Sequence, residues 1–562
     1  MKRKNNRIYK GTCFLTAAAL LCGCAGAPSH VAEGTRAASP TMAAATTAAA
    51  AAGAAADEAW PMEGASETWE ADPEGTGRRG NPSLSMKYQE AYKNEDFNTE
   101  EYSYISENGY KNVMEEPLST FSIDVDTAAY SNVRRMIRNG ENIPADAVRI
   151  EEMINYFDYD YPEPESDDPF SVTTEYSECP WNPENRLLMI GLQAKEIDFD
   201  NRPAFNFVFL LDVSGSMYSD DKLPLVQKAF SMLAENLTEK DRVSIVTYAG
   251  YESVVLNGVR GSETPVIIDA LESLEAGGST AGAAGIQKAY ELAQEYFIPG
   301  GNNRVILATD GDLNVGLTSE GELTRLIKEK KKSGVHLSVI GVGTGNLKDN
   351  KMEALADNGD GNYNYIDSVF EAKKVLVDEM GGTLITVAKD VKIQVEFNPE
   401  KVAGYRLVGY ENRLLNQEDF NNDKVDAGEI GSGHTMTALY EIVPAKGAGA
   451  QSTQLKYQTS GETAGSSELL TVSLRYKAPN GDKSRLISHP VEADSYAQTM
   501  SENLAFASAV AEFGMVLRDS ENRGNATFDS VMALAEPCVH ADSDSYRKEF
   551  LELVQMAEKR YR

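Results

Sequence analysis

The stretch FNFVFLLDVSGSM, residues 205–217, decides the fold. Its first eight residues are a continuous apolar run, which suits a strand covered on both faces. A polar loop follows Asp212, and then the spacing predicts an amphipathic helix from Leu223 to Leu237. The same alternation recurs outward from there. Strands are predicted over 242–248, 253–259, 305–309, 337–342 and 362–366, and helices over 265–274, 282–296, 320–333, 348–357 and 369–380. Strand and helix in alternation imply an α/β fold: a doubly wound, mostly parallel sheet over residues 204–381 with helices on both faces. In such sheets ligands sit beyond the carboxyl ends of the strands.

The flanks read differently. Residues 116–200 begin with strand-like alternation, then place Val133, Met136 and Ile137 at helical spacing, turn at Asn139-Gly140, and continue into a second helix near Val148 to Phe157. The segment YDYPEPESDDP breaks both periods, and two strand-like stretches surround a turn at Pro180 to Asn185. This is an N-terminal α+β module. Over 387–490 the period falls to two, in VKIQVEF, YRLVGY, MTALYEIV, STQLKYQT and LLTVSLRY, which predicts a small antiparallel β module. Residues 494–562 are helical again, and no internal repeat of fixed period is present.

A chain of 562 residues with 42% apolar content is long enough for roughly three to four domains with real cores. With 53 Lys plus Arg against 86 Asp plus Glu, the formal charge is −33. Such an acidic balance speaks against nucleic acid as a partner, because a phosphate backbone needs a cationic footprint. Five Cys are too few for a disulfide framework.

Three of those five, Cys13, Cys22 and Cys24, lie in the first 24 residues. Lys2, Arg3, Lys4, Arg7 and Lys10 precede the short apolar run GTCFLTAAALLCG, the pattern of a secretory signal over residues 1–23. Leu21-Cys22-Gly23-Cys24 resembles the bacterial lipobox. The resemblance implies that Cys24 becomes the lipidated first residue of the mature chain, and acyl chains in pairs meet the two-signal requirement for stable anchoring. The implied location is extracytoplasmic, on a bacterial membrane, facing either the cell surface or the periplasm. Residues 24–115, Ala-rich and without apolar periodicity, are expected to form a flexible stalk.

Asp212-Val213-Ser214-Gly215-Ser216, at the end of an apolar strand and before a helix, resembles the metal-ion-dependent adhesion site of von Willebrand factor type A (VWA) domains. Gly277-Gly278-Ser279-Thr280-Ala281 would supply that family's threonine, and Ala308-Thr309-Asp310-Gly311-Asp312 its second aspartate. The implied metal site is Asp212, Ser214, Ser216, Thr280 and Asp310. Oxygen-only donors suit a hard cation, Mg²⁺ first with Mn²⁺ or Ca²⁺ as alternatives. Where the direct contacts are mostly neutral hydroxyls, the cation stays under-compensated and its open position attracts an external carboxylate. In family terms an Asp or Glu of a protein partner completes the octahedron. Without the other two loops, Asp212 to Ser216 would read as a helix-capping turn.

The blocks PLSTFSIDVDTAAYSNVRRMIRNGENIPADAVRIEEMINYFDYDYP, CPWNPENRLLMIGLQ and VGYENRLLNQEDFNNDKVDAGEIGSGHTMTALYEIVP resemble a bacterial family in which a VWA domain lies between a dedicated N-terminal domain and a C-terminal domain of unknown function. That resemblance implies a surface or secreted lipoprotein. The strings beginning at Asp310 and at Asp419 start like Ca²⁺ loops but lack the Gly and Glu that such loops need. There is no HExxH, CxxC or phosphate-binding loop, and no nucleophile with a base and an orienting group. The chain therefore reads as a non-enzymatic binding protein, serving adhesion or envelope-complex assembly. The alternative is an envelope enzyme or scaffold whose VWA domain only recruits a substrate or partner. Cys179 and Cys538 remain, either as a disulfide tying the N-terminal module to the helical tail or as two separate buried thiols.

Overall fold

The structure, a computed structural model, describes residues 98–198, 201–278, 282–311, 320–445, 466–540 and 545–561. The predicted signal peptide, Cys24 and the stalk up to residue 97 lie outside them. Residues 98–115, which the composition assigns to the stalk, are attached to the folded body: the amides of Thr99 and Glu101 donate to the carbonyls of Gly345 and Leu347, and Val113 is buried. Local composition gives no sign of those distant partners.

In chain order the first elements are strands β1 (Lys111–Asn112) and β2 (Leu118–Ser122), helices α1 (Ala128–Asn139) and α2 (Ile150–Asn155), and strands β3 (Phe170–Glu178) and β4 (Arg186–Ala194). Helix α1 stops at Gly140, whose φ of 68° is a left-handed cap that glycine adopts freely.

The central domain follows with β5 (Phe205–Asp212), α3 (Leu223–Glu235), β6 (Arg242–Tyr248), β7 (Glu252–Arg260), α4 (Thr264–Glu272), α5 (Gly282–Glu295), β8 (Asn302–Thr309), α6 (Glu320–Lys330), β9 (His336–Val342), α7 (Asp349–Asn358) and β10 (Tyr363–Ile366). The sheet order is β10-β9-β8-β5-β6-β7, parallel except for β7, which runs antiparallel to β6 at the edge. Every residue of β5 is buried. Within its apolar run, Phe205, Phe207, Phe209 and Leu211 pack toward Val226, Phe230 and Leu233 of α3. Val208 and Leu210 face Ile286, Ala289 and Tyr290 of α5. The ring centroids of Phe209 and Phe230 lie 4.6 Å apart, edge to face. Each such side chain buried contributes roughly 1.5–3 kcal/mol.

The helix predicted over 369–380 is interrupted. It runs as α8 (Val369–Lys373), one π turn (Lys374–Asp378), then α9 (Met380–Leu384). The wide turn, with the Glu379 amide donating to the Lys374 carbonyl, lets buried Lys374 pair with Glu379 and lie over the Tyr156 ring. Apolar spacing alone predicts one unbroken helix because that pairing is tertiary.

The remaining elements are β11 (Thr386–Phe397), β12 (Val402–Val408), β13 (Gly428–Gly431), β14 (Thr435–Pro444), β15 (Glu468–Lys477), β16 (Ser484–Glu492), and helices α10 (Glu502–Arg518), α11 (Phe528–Ala535) and α12 (Ser545–Tyr561). The flanking stretches predicted as separate modules, 116–200 and 387–490, share their sheets. One has the order β1-β12-β14-β4-β3; in the other β11 pairs with β13, β15 and β2, and β16 completes the edge. Leu188, Ile190 and Leu192 of β4 meet Ile393, Val395 and Phe397 of β11 between the two layers. The alternate residues Leu187 and Met189 turn to the other face, where α2, α10, α11 and α12 pack. The chain thus leaves this sandwich after β4, builds the central domain, and returns at β11. Period-two patterning identifies strands but carries no information about partners hundreds of residues away.

Cys179 and Cys538 lie in this same helical core, both as free, buried thiols, so the disulfide is not formed. The Cys538 thiol is instead 3.3 Å from the Leu534 carbonyl, one turn back. Burial pushes both thiols up from their usual range. In the native protein neither is expected to react with a thiol reagent at neutral pH, and both are expected to react in urea. Mass mapping of alkylated peptides checks this: a Cys179–Cys538 crosslinked peptide overturns it.

Candidate functional site

Strand β5 ends at Asp212 and β8 at Thr309, neighbours in the sheet, so the loops that follow them leave its carboxyl edge side by side. A cation held there would face outward, because the apolar strand residues fill the space below. The loop after Asp212 turns at once. The Ser214 amide donates to Asp212 Oδ1 at 2.9 Å, Val213 N–H donates to the Tyr248 carbonyl, and a short 3₁₀ turn spans Gly215–Tyr218. These bonds place the Ser214 and Ser216 hydroxyls 3.0 Å apart. The Gly277-Gly278 loop lies against the same turn: Gly277 N–H donates to the Val213 carbonyl and Gly215 N–H to that of Gly278. Gly278 has φ +83°, a conformation that favours glycine. Thr280, two residues on, lies outside the described residues.

Asp212 is fully buried and accepts a further hydrogen bond, from Thr309 Oγ1 at 3.1 Å. Burial pushes its carboxyl up to about 6, with the hydrogen bonds from Ser214 opposing and the Asp310 charge adding. The Tyr248 hydroxyl is buried beside Asp212 and Thr309, and burial pushes it up from its usual range. Asp310 is buried too, yet its carboxyl is held below the usual range. Burial acts upward, and is outweighed by hydrogen bonds from Asn346 and Ser216 and by the Lys222 ammonium. Lys222 Nζ donates to Asp310 Oδ2 and to Asn346 Oδ1, each at 3.0 Å.

The structure therefore brings Asp212, Ser214, Ser216 and Asp310 to one edge. Spacing did not reveal Thr309, Lys222, Asn346 or Tyr248; of these only Thr309 carries a local signal, as the neighbour of Asp310. The donors are all oxygen, two buried carboxylates and two hydroxyls at one sheet edge, a set that suits a hard divalent cation. Among the described residues no three His, Cys, Asp or Glu side chains gather as a metal-binding group. Ser216 is exposed, and the rim carries two exposed aromatic side chains, Tyr218 (82%) and Tyr251 (76%).

The second acidic string separates into structural roles. Asp419 caps Asn416, Asn421 accepts from Arg475, and Asp423 accepts from Ser484.

Fold and sheet edge together define a VWA-domain protein. Residues 206–379 match the von Willebrand factor type A domain family, residues 96–189 a family described as von Willebrand factor, and residues 382–559 the C-terminal domain of the uncharacterized protein YfbK. The uncharacterized protein YfbK of Escherichia coli is 43% identical over 470 residues, 82% of this chain and 81% of that protein. The chain belongs to this YfbK family of bacterial VWA proteins. An uncharacterized Synechocystis protein, sll0103, is 30% identical over 192 residues, 33% of this chain and 43% of its own. Among solved structures, a von Willebrand factor type A protein from Catenulispora acidiphila aligns with 15% identity and a TM-score of 0.41, over 71% of this chain and 91% of that one.

Proposed function

We propose that this protein is a lipid-anchored binding module on the extracytoplasmic side of a bacterial membrane, which holds a partner protein through a divalent cation at Asp212, Ser214, Ser216, Thr280 and Asp310. It serves adhesion or envelope-complex assembly. The observation that carries this reading is the convergence of two buried carboxylates with a hydroxyl pair that opens to solvent at Ser216. When bound, Mg²⁺ supplies an electrophilic position for a carboxylate of the partner. Asp212 orients the loop through Ser214, Thr309 orients Asp212, and Tyr218 and Tyr251 offer exposed aromatic contacts of the kind enriched at protein interfaces. The role is binding, without catalysis. The charge of −33 fits a protein partner better than a nucleic acid.

The proposed anchor is Cys24, after the lipobox-like Leu21-Cys22-Gly23; among the described residues no helix is long and apolar enough to cross a membrane. Two experiments test the reading. Immobilised wild-type protein is expected to retain an envelope protein in Mg²⁺ and to release it in EDTA, whereas Asp212→Ala retains none and Tyr251→Ala retains at least about tenfold less, a hot-spot effect. Retention indifferent to both EDTA and Asp212→Ala sinks the metal-dependent reading. Cys24→Ser is expected to abolish lipid labelling and release the chain from membranes, and labelling that survives the change sinks the anchor.

A further inference from the structure

Lys222 is not one of the family's metal-site residues quoted above, yet it is built into this site from three directions. Its backbone starts α3, the Lys222 carbonyl accepting the Val226 amide, while the side chain turns back across the sheet edge. Gly343, just past the end of β9, makes room for the stem: a Cβ there would lie 2.3 Å from the Lys222 Cε, and the glycine has φ +76°. At the tip, Nζ bonds Asp310 Oδ2 and Asn346 Oδ1. The loop that carries Asn346 is itself fastened, because Gly345 N–H donates to Glu100 Oε1 at 2.9 Å and Glu100 is paired with Arg135 at 3.0 Å. The Lys222 side chain is 9% exposed and that of Asp310 is fully buried, so the ammonium is held against the carboxylate away from solvent.

We propose that Lys222 is a resident counter-cation of the metal site, which weakens its hold on the bare metal and makes the loaded site select an anionic ligand over a neutral oxygen. The inference rests on the metal-site reading above. With Asp212 and Asp310 ionised, a divalent ion alone would bring these groups to neutrality. Lys222 leaves them one positive charge in excess. In a buried, poorly screened setting that excess opposes the entering metal and afterwards demands an anion at the open position. A carboxylate supplies the missing charge, whereas a water, amide or hydroxyl does not. Lys222 thus acts through Asp310 as a specificity-determining residue, without needing to touch the ion.

The test uses Mn²⁺ alone, then acetate, on the full chain. Free Mn²⁺ is counted by electron paramagnetic resonance for wild type, Lys222→Met and Lys222→Gln, and acetate binding to the loaded protein is read from loss of Mn²⁺-bound water by proton relaxation. Removing one unit charge at this range is expected to tighten Mn²⁺ at least about tenfold in both variants and to weaken acetate by a similar factor. Lys222→Gln keeps a hydrogen-bond donor for Asp310 and carries the comparison if Lys222→Met loses its fold by circular dichroism. Mn²⁺ affinity equal to or weaker than wild type in the folded variant overturns the proposal and leaves the metal site standing. A wild-type protein that binds no Mn²⁺ overturns the metal-site reading itself, and the role of Lys222 with it.

Discussion

Asp212→Asn is expected to reverse the protein's stability ranking between metal-free and metal-loaded conditions. In EDTA the wild type keeps a carboxylate fully buried close to a second one, Asp310, and burial already pushes Asp212 up to about 6. An amide of the same shape removes that desolvation and repulsion and still accepts the Ser214 amide proton, so the variant should match or exceed wild type by about 1 kcal/mol. In Mg²⁺ the order inverts. At about one hundred times the dissociation constant, a ligand that binds only the folded state stabilises it by about 2.7 kcal/mol. For a domain of this size that is a rise in Tm of about 5 °C, present in wild type and absent in Asp212→Asn. Thermal unfolding of both proteins, each with EDTA and with Mg²⁺, gives the four numbers required. Equal Mg²⁺ shifts in both would remove Asp212 from the metal site. A variant less stable than wild type in EDTA would mean that its hydrogen bonds outweigh its burial.

Asp212, Ser214 and Ser216 were legible because one turn contains them and its spacing resembles the VWA adhesion site, although alone the turn reads as a helix cap. A site of this kind is half local. Its other half, Asp310, Thr309, Lys222 and Asn346, arrives on separate loops that only the sheet order β9-β8-β5 brings together. Asp310 was found through the same resemblance, from its place at a strand end. Lys222 was not, since a lysine in the polar run Ser219 to Lys222 reads as solvated until its stem is seen crossing Gly343. The same division governs the fold. The alternation over 204–381 fixes a parallel sheet because βαβ connections are local and of one hand. The sandwich around it depends on pairings such as Gln394 with Thr120 and Thr437 with Gly191, which no periodicity encodes. Residues 98–115 show the reverse error. Their polar, stalk-like composition hides Glu100, whose buried carboxylate serves Arg135, Gly345 and Tyr102 at once.

Arg134→Leu is expected to be the most damaging single change outside the hydrophobic cores, because one guanidinium joins three parts of the chain that are remote in sequence. Arg134 stands on α1 with its side chain 1% exposed. It donates to both oxygens of Asp367 at 2.8 and 2.6 Å, to Glu371 of α8 at 2.7 Å, to the Tyr156 hydroxyl at 2.8 Å and to Glu549 of α12 at 3.0 Å. Removing it leaves the buried carboxylates of Asp367 and Glu371 without their cation, and breaking such a pair from one side costs about 3–5 kcal/mol. Lysine should restore little of this, since a compact ammonium cannot reproduce a planar fork that meets four partners. Neighbouring Arg138, half exposed, pairs with Glu549 and sets the control: Arg138→Ala should fall within about 0.5 kcal/mol of wild type. Urea unfolding of the three variants provides the comparison, and limited proteolysis reports where the damage falls. Because the hub clamps the last helix of the VWA domain between α1 and α12, loss of Arg134 should expose the α8 to α9 segment to cleavage before the sandwich opens. An Arg134→Leu variant within about 1 kcal/mol of wild type would mean that these carboxylates find other partners, and that other contacts, such as Lys374 over the Tyr156 ring and Glu100 to Gly345, hold the VWA domain to its flanks.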